Sequence, residues 1–295
     1  MRTILVATDF SEAADRALER ALLLPVAPRG RLHLLHVEPA GRTAALRAAA
    51  MEALDERVAR AQDARGAARG LAVSAAVVEG DAYVEIIRYS RHLDAELIVV
   101  GRHSKRPSRE LTLVGSTARK VLRKGDVPVL VVSLPATQRY ERPLVATDLS
   151  DVSRRVLDLA LQVGGPQVGE IAVVHAVHVP FENFVTPTAA GAQRSRLRRD
   201  VEHRAHDALD GLLAMYRETG VRWDPVLGYG EARSVIINEA VRREADLIVL
   251  GTHGRTGLSH LLIGSVAEWV LENASCDVLV SHPVRYAFEP AYAAH

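Results

Sequence analysis

Cysteine is nearly absent from this chain: Cys276 is the one thiol in 295 residues. A lone thiol excludes an intramolecular disulfide and fits a reducing compartment. It stands in an apolar, strand-like run, which makes it a buried group rather than a nucleophile. No apolar stretch approaches the ~20 residues of a membrane-spanning helix. No h-region of signal-peptide length accompanies the first apolar run, Ile4-Leu-Val6. A cytoplasmic chain without a membrane partner is therefore expected. Neither sign of charge is in excess, since 37 Lys plus Arg face 36 Asp plus Glu, and this gives no general case for nucleic acid. Also missing are a Walker A lysine motif, a G-x-G-x-x-G after the first strand, a G-x-S-x-G elbow and an H-x-G-H-like transferase motif. No acidic cluster suits a pair of magnesium ions. Fast phosphoryl transfer needs metal and positioned charge, so no catalytic residue and no metal ligand is assigned.

What the chain does contain is one unit written twice. Thr3-Ile-Leu-Val-Ala-Thr-Asp9-Phe-Ser11 recurs as Arg142-Pro-Leu-Val-Ala-Thr-Asp148-Leu-Ser150, and the spacing then holds through Gly30/Gly169 and His36/His175. Glu96-Leu-Ile-Val-Val-Gly101 matches Asp246-Leu-Ile-Val-Leu-Gly251, and Val129-Leu-Val131 matches Val278-Leu-Val280. The seam lies near Pro135 to Arg142, giving units 1–138 and 139–295. Inside each unit, short apolar runs alternate with helical patterns. In the first these are strands 4–7, 31–37, 71–78, 97–100 and 128–132, with helices over 11–26, 43–69, 82–92 and 116–124. Strands apolar at consecutive positions are buried on both faces, as in a parallel sheet covered by helices. The expected fold is α/β: two tandem, Rossmann-like, doubly wound domains, each with a five-stranded parallel sheet. A long helix over 192–218 carries Leu197, Val201, Ala205, Leu209 and Leu212 on one face.

Ser11 and Ser150 stand where helix N-caps belong, directly after the first strand of each unit. Asp9 and Asp148 come earlier, at the carboxyl edge of that strand. In an open α/β sheet, ligands bind at this edge, where the strand order reverses. Asp148 is thus a ligand-facing carboxylate or a plain turn residue. On the same rim lies Gly251-Thr-His-Gly-Arg-Thr-Gly-Leu-Ser-His-Leu-Leu-Ile-Gly-Ser265, a glycine-rich loop between a strand and a helix start. Glycines let a backbone approach an anion, and a helix N-terminus supplies N–H groups and positive partial charge. Phosphate is the expected ligand, a plain turn the alternative.

Together these features resemble the universal stress protein family, of the tandem two-domain kind. The residues that carry the resemblance are Val145-Ala-Thr-Asp148-Leu-Ser, Val174-His175-Ala176, and Gly251-Thr-His-Gly254 followed after nine residues by Gly264-Ser265. The ATP-binding branch of that family has Gly, two residues, Gly, nine residues, then Gly and Ser or Thr. The resemblance implies an adenine nucleotide alpha hydrolase-like fold and ATP, with or without magnesium, in the second unit. It implies that Asp148 bonds the adenine or ribose side, with Ala146 and Thr147 lining that wall and Ala176 offering backbone groups to adenine. Gly251, Thr252, His253 and Gly254 would form the turn around ribose and phosphates, with Gly264, Ser265 and Val266 as the phosphate-holding helix start. Arg255 would add charge there or face solvent.

The first unit departs from this pattern. Gly101-Arg-His-Ser104 puts serine at the second glycine, and ten residues then precede Gly115-Ser116. A Cβ at a position of positive φ costs about 1 kcal/mol or more, so this site is expected to be degraded, with anion binding through Lys105, Arg106 and Arg109 left open. His203 and His206, with Asp207 and Asp210, share a helix face that is expected to be solvated rather than metal-binding. His36 and His175 are expected to be hydrogen-bonded structural groups, and the basic run Arg194 to Arg199 a solvated face, since it lacks interleaved aromatics. The expected function is ATP binding in the second unit, in a stress-response protein with at most slow hydrolysis. The rival is a regulatory or scaffold module that recognises a partner protein or another small ligand. Each unit ends in an apolar strand that would be an exposed edge. Single-unit relatives dimerise through that strand, so the resemblance implies an intrachain pairing that brings Val131 near Val280. Further homo-oligomerisation stays open.

Overall fold

The computed structural model describes residues 1–63, 70–102, 114–150, 152–177, 190–252 and 263–282, with the side chains of 190–197 excepted. The strands are β1 Thr3–Thr8, β2 Arg31–Glu38, β3 Ala72–Glu79, β4 Leu97–Gly101 and β5 Val129–Val132, then β6 Pro143–Thr147, β7 Glu170–Val177, β8 Arg222–Tyr229, β9 Leu247–Gly251 and β10 Asp277–Ser281. The helices are α1 Glu12–Leu23, α2 Ala44–Ala61, α3 Ala82–His92, α4 Ser116–Lys124, α5 Ser153–Gly164, α6 Ala190–Ala214, α7 Ala232–Arg242 and α8 Ser265–Asn273.

All ten strands form one sheet in the order β3-β2-β1-β4-β5-β10-β9-β6-β7-β8. Each half runs parallel, and the halves meet through the antiparallel pair β5–β10. Leu130 faces Leu279 at the centre of that pair, flanked by Val131 with Val278 and Val129 with Val280. Antiparallel pairing of equivalent strands is what a local twofold axis requires. Val131 therefore sits beside Val278, the counterpart of Val129, and two register pairs away from Val280. The seven side chains Val129 to Val132 and Val278 to Val280 are at most 1% exposed. Full burial of such groups is worth ~1.5–3 kcal/mol each, so these seven residues contribute on the order of 10 kcal/mol to folding. On each face of the sheet, one apolar cluster runs across the junction and joins residues of both halves.

Helix boundaries follow local chemistry. Ser11 caps α1, accepting from the Ala14 N–H, and Thr43 caps α2 in the same way. Ser150 does not cap: α5 begins at Ser153, with Val152 as the residue before it. On α6 the buried residues are Ala205, Leu209 and Leu213, with Leu212 only partly covered; the helix ends at Ala214, and a short 3-10 turn, Arg217–Thr219, follows. Two helix pairs use one contact with its partners exchanged. In the first half Lys120 and Lys124 lie 4.9 and 4.8 Å from the Tyr83 ring centre; in the second, Arg233 from the other helix lies 5.0 Å above Trp269. No described helix is long and apolar enough to cross a membrane.

Candidate functional site

The order β2-β1-β4 and its copy β7-β6-β9 put a reversal of strand order beside β1 and beside β6. The carboxyl ends of β6 and β9 bring the Asp148 turn and the start of the glycine loop to one rim. The turn after β6 is tied by its own side chains. Thr147 Oγ1 accepts from the Leu149 N–H at 3.0 Å and donates to Ser153 Oγ at 2.7 Å, while Asp148 Oδ1 accepts from the Ser150 N–H at 3.1 Å. Leu149 takes a positive φ of 63°, and Phe10 repeats it at 65° in the first half, with Thr8 and Asp9 making the matching bonds. A non-glycine residue in this region costs ~1–2 kcal/mol, offset here by the turn's hydrogen bonds. His175 Nδ1 donates to the Thr147 carbonyl at 2.8 Å, as His36 does to Thr8, so both histidines fix the strand end.

Asp148 is half-buried, and its Oδ2 is shielded from solvent without a hydrogen-bond partner; Ser150 Oγ shares that condition. Buried polar atoms are almost always paired, so two unpaired acceptors on one turn mark a place for donors from elsewhere. The Thr147 hydroxyl, in contrast, is used inside the turn. Ala176 is half-buried near the end of β7, in register with Gly228. Asp9, the counterpart of Asp148, is exposed.

The glycine loop is clamped at its base. Thr252, 1% exposed, donates its N–H to the Ser281 carbonyl at 2.8 Å, and its own carbonyl accepts from the Gly264 N–H at 2.7 Å. Gly264 is the N-cap of α8 and supplies no side-chain cap, so the N–H groups of Ser265 and Val266 open the helix toward the loop. His253, Gly254 and Arg255 lie outside the described residues, as do Ser104, Lys105, Arg106 and Arg109 of the first half. In that half, Gly101 has a structural reason to be glycine: a Cβ there would stand 2.2 Å from the Ala13 carbonyl oxygen of α1.

The residue after Gly101 is the main finding that sequence reasoning missed. Arg102 occupies the position of Thr252 and is 5% exposed. It reaches across the junction to the last turn of α8: Nη1 donates to the Ala274 carbonyl at 2.6 Å, and Nη2 to those of Leu271 and Glu272 at 2.7 Å. Burial lowers its pKa, with Cys276, Glu272 and Asp277 opposing that shift. From the other side His282, just after β10, donates Nε2 to the Leu122 carbonyl at the end of α4, at 2.7 Å. Helix ends leave carbonyls unpaired, and at this interface those of Leu271, Glu272 and Ala274 in one half and Leu122 in the other are served from across the junction.

A second network holds the connection between the halves. Asp277 is fully buried; its Oδ1 accepts from the N–H groups of Ser133 and Leu134 at 2.7 and 2.9 Å, and its Oδ2 accepts from the Tyr140 hydroxyl at 2.6 Å. Arg20 Nε lies 3.1 Å from the same carboxylate, and its guanidinium covers the Tyr140 ring at 4.3 Å. Burial, reinforced by the Asp277 charge, raises the Tyr140 pKa well above that of a free phenol. The Cys276 thiol is buried too, and desolvation pushes its pKa up to about 12, which leaves it inert as a nucleophile. His203 and His206 are exposed on α6, and among the described residues no group of three or more metal-type ligands comes together.

This is the architecture of a tandem α/β protein with a candidate site on the rim at the strand-order reversal. The universal stress protein family model matches the chain twice, over residues 1–133 and 139–282, and the chain belongs to that family. It is 34% identical over 141 residues to a universal stress protein of Methanocaldococcus jannaschii, which covers 48% of this chain and 81% of that one. It is 28% identical over 226 residues to one of Mycobacterium tuberculosis, covering 75% of this chain and 72% of the relative. The crystal structure of a universal stress protein from Archaeoglobus fulgidus matches with a TM-score of 0.66 at 21% identity, over 95% of this chain and 98% of that one, which is a likeness of fold.

Proposed function

We propose that the chain divides into units 1–138 and 139–295, and that the second binds an adenine nucleotide, ATP with or without magnesium, as part of a stress response. The observation that carries this reading is the pair of buried, unpartnered acceptors, Asp148 Oδ2 and Ser150 Oγ. A carboxylate so placed accepts from the adenine amine or a ribose hydroxyl, and a bond to a charged group is worth ~1.5–3 kcal/mol. Ala146 and Thr147 form the wall beside it, and Ala176 presents backbone groups to the base. The loop from Gly251 through Thr252, His253, Gly254 and Arg255 encloses the ribose and phosphates. Gly264, Ser265 and Val266 bring α8's free N–H groups to the phosphate oxygens, favoured by the helix dipole. At most slow hydrolysis goes with it, since the sequence has neither a Walker A lysine motif nor an acidic cluster for a pair of magnesium ions. Calorimetric titration should give a single ATP per chain. Asp148→Ala should weaken binding at least tenfold, about 1.4 kcal/mol, with the circular dichroism spectrum unchanged. No binding, two equal sites, or an unchanged affinity in the folded variant would each reject this reading.

A further inference from the structure

The ten-stranded sheet has two outer edges, β3 and β8, and they are built differently. Ala72 donates its N–H to Gly30 and Gly80 donates to Glu38, both on β2. In a parallel ladder alternate residues face the neighbouring strand, so Val73, Ala75 and Val77 turn their N–H and C=O groups outward. In the other half, Arg222 donates to Gly169 and Gly230 to Val177 on β7, so Trp223, Pro225 and Leu227 face outward. The two middle positions correspond: where β8 has Pro225, with no N–H to offer, β3 has Ala75. Proline and charge are the usual means of blunting an edge. β8 carries Arg222, Asp224 and Pro225, whereas Ala72 to Val78 contains neither charge nor proline.

The surface beside each edge follows the same division. α6, packed on β8, exposes Arg199, Asp200, Arg204, Asp207 and Asp210. α2, packed on β3, exposes Ala44, Ala45, Leu46, Ala48 and Ala49 in its first two turns. Its Arg47, Arg57 and Arg60 are balanced by Glu52, Asp55 and Glu56, so two α2 helices can approach without net repulsion.

We infer that the outer edge of β3 is a docking edge for a second copy of this chain, pairing β3 with β3 about a twofold axis. A twofold makes two identical strands antiparallel, the geometry the chain already uses between β5 and β10. Centring the axis on Ala75 lets it exchange both backbone bonds with its counterpart and sets Val73 opposite Val77. The second copy is the fitting occupant because its β3 offers a row of the same length without charge or proline from Ala72 to Val78, while its β8 is interrupted at Pro225. Gln62 Nε2, which donates to the Val73 carbonyl at 3.4 Å, gives up a long bond when the strands meet.

Sedimentation equilibrium over a concentration series tests this. The wild-type chain should approach twice its 32.1 kDa mass, and the Ala75 and Val77 amides should exchange roughly tenfold more slowly as concentration rises, with Leu227 unaffected. Ala75→Pro carries the β8 device to β3 without removing any bond to β2, and should leave a monomer. A wild-type monomer at every concentration overturns the inference, as does a folded Ala75→Pro dimer. If that variant does not fold, the amide exchange decides: concentration-independent exchange at Ala75 and Val77 overturns the inference, and slowing confined to β3 upholds it.

Discussion

The two carboxyl rims of this molecule began as one design and use their polar atoms differently. In the first half, Arg47 of α2 spans the ends of two strands, 3.7 Å from Glu38 and hydrogen-bonded to Glu79. Phe10 packs against His36 with ring centres 4.3 Å apart and planes tilted by 36°, and Arg57 covers Phe10 while pairing with Asp15. In the second half, Val177 and Tyr229 replace the two glutamates and Leu149 replaces Phe10, so that cross-tie cannot form. There the turn instead keeps two buried acceptors without partners. The backbone turn was retained in both copies, positive φ included, while the side chains diverged. The duplicated scaffold thus kept one turn and changed which polar atoms lack a hydrogen bond: Asp148 Oδ2 and Ser150 Oγ in the second half, and Glu38 Oε2, 3.7 Å from Arg47, in the first.

The strongest way to break the comparison is at the junction, where each half serves the other. Arg102→Met takes the donor from three carbonyls, two of them buried and that of Glu272 partly so, and each unsatisfied buried group costs ~1–3 kcal/mol. A loss of about 3 kcal/mol or more is expected in denaturant unfolding. His282→Phe removes one donor and should cost about a third of that. Equal losses would show that the cross-junction caps do not govern stability in proportion to the carbonyls they serve.

The rims themselves are compared by matched substitutions. Gly254→Val should reduce ATP affinity at least tenfold, about 1.4 kcal/mol, with the fold intact, whereas Ser104→Val should leave it unchanged. A calorimetric titration in which both variants behave alike would remove the asymmetry between the loops. At the connection, Tyr140→Phe leaves Asp277 Oδ2 one donor short and should cost about 1–2 kcal/mol, read as a lower urea midpoint.

The smallest effect separates the halves by pH. His33 is buried in the first half against Ser74 and Tyr89, and its counterpart in the second is Ala172. Burial lowers the His33 pKa, so the unfolded chain binds the proton more readily than the folded one. Stability from this group is fully present above its unfolded pKa of ~6.5 and falls as the pH drops below it. Thermal unfolding between pH 7 and 5 should show an extra loss in the wild-type protein that disappears in His33→Gln. An identical pH dependence in the two would dismiss His33 as its source.

What the sequence by itself determined is local or repeated. Consecutive apolar positions in β1, β4, β6 and β9 announced strands buried on both faces, and the duplication announced a pair of like halves. Asp148 and the Gly264-Ser265 helix start were legible because they stand at fixed offsets from those strands. The apolar ends of the repeats marked edge strands in need of cover, and the resemblance to the family implied that β5 and β10 would meet. Ser150 misled, because capping depends on where the chain turns into the helix, and α5 starts two residues later than its copy. Only the tertiary structure could decide the partners of Arg102 and Asp277. Arg102 meets Ala274 across 172 residues, and Tyr140 meets Asp277 across 137. Such polar contacts have no periodicity to betray them: a buried donor is satisfied by whichever acceptor the packed sheet brings within 3 Å, and that is settled when the two halves join.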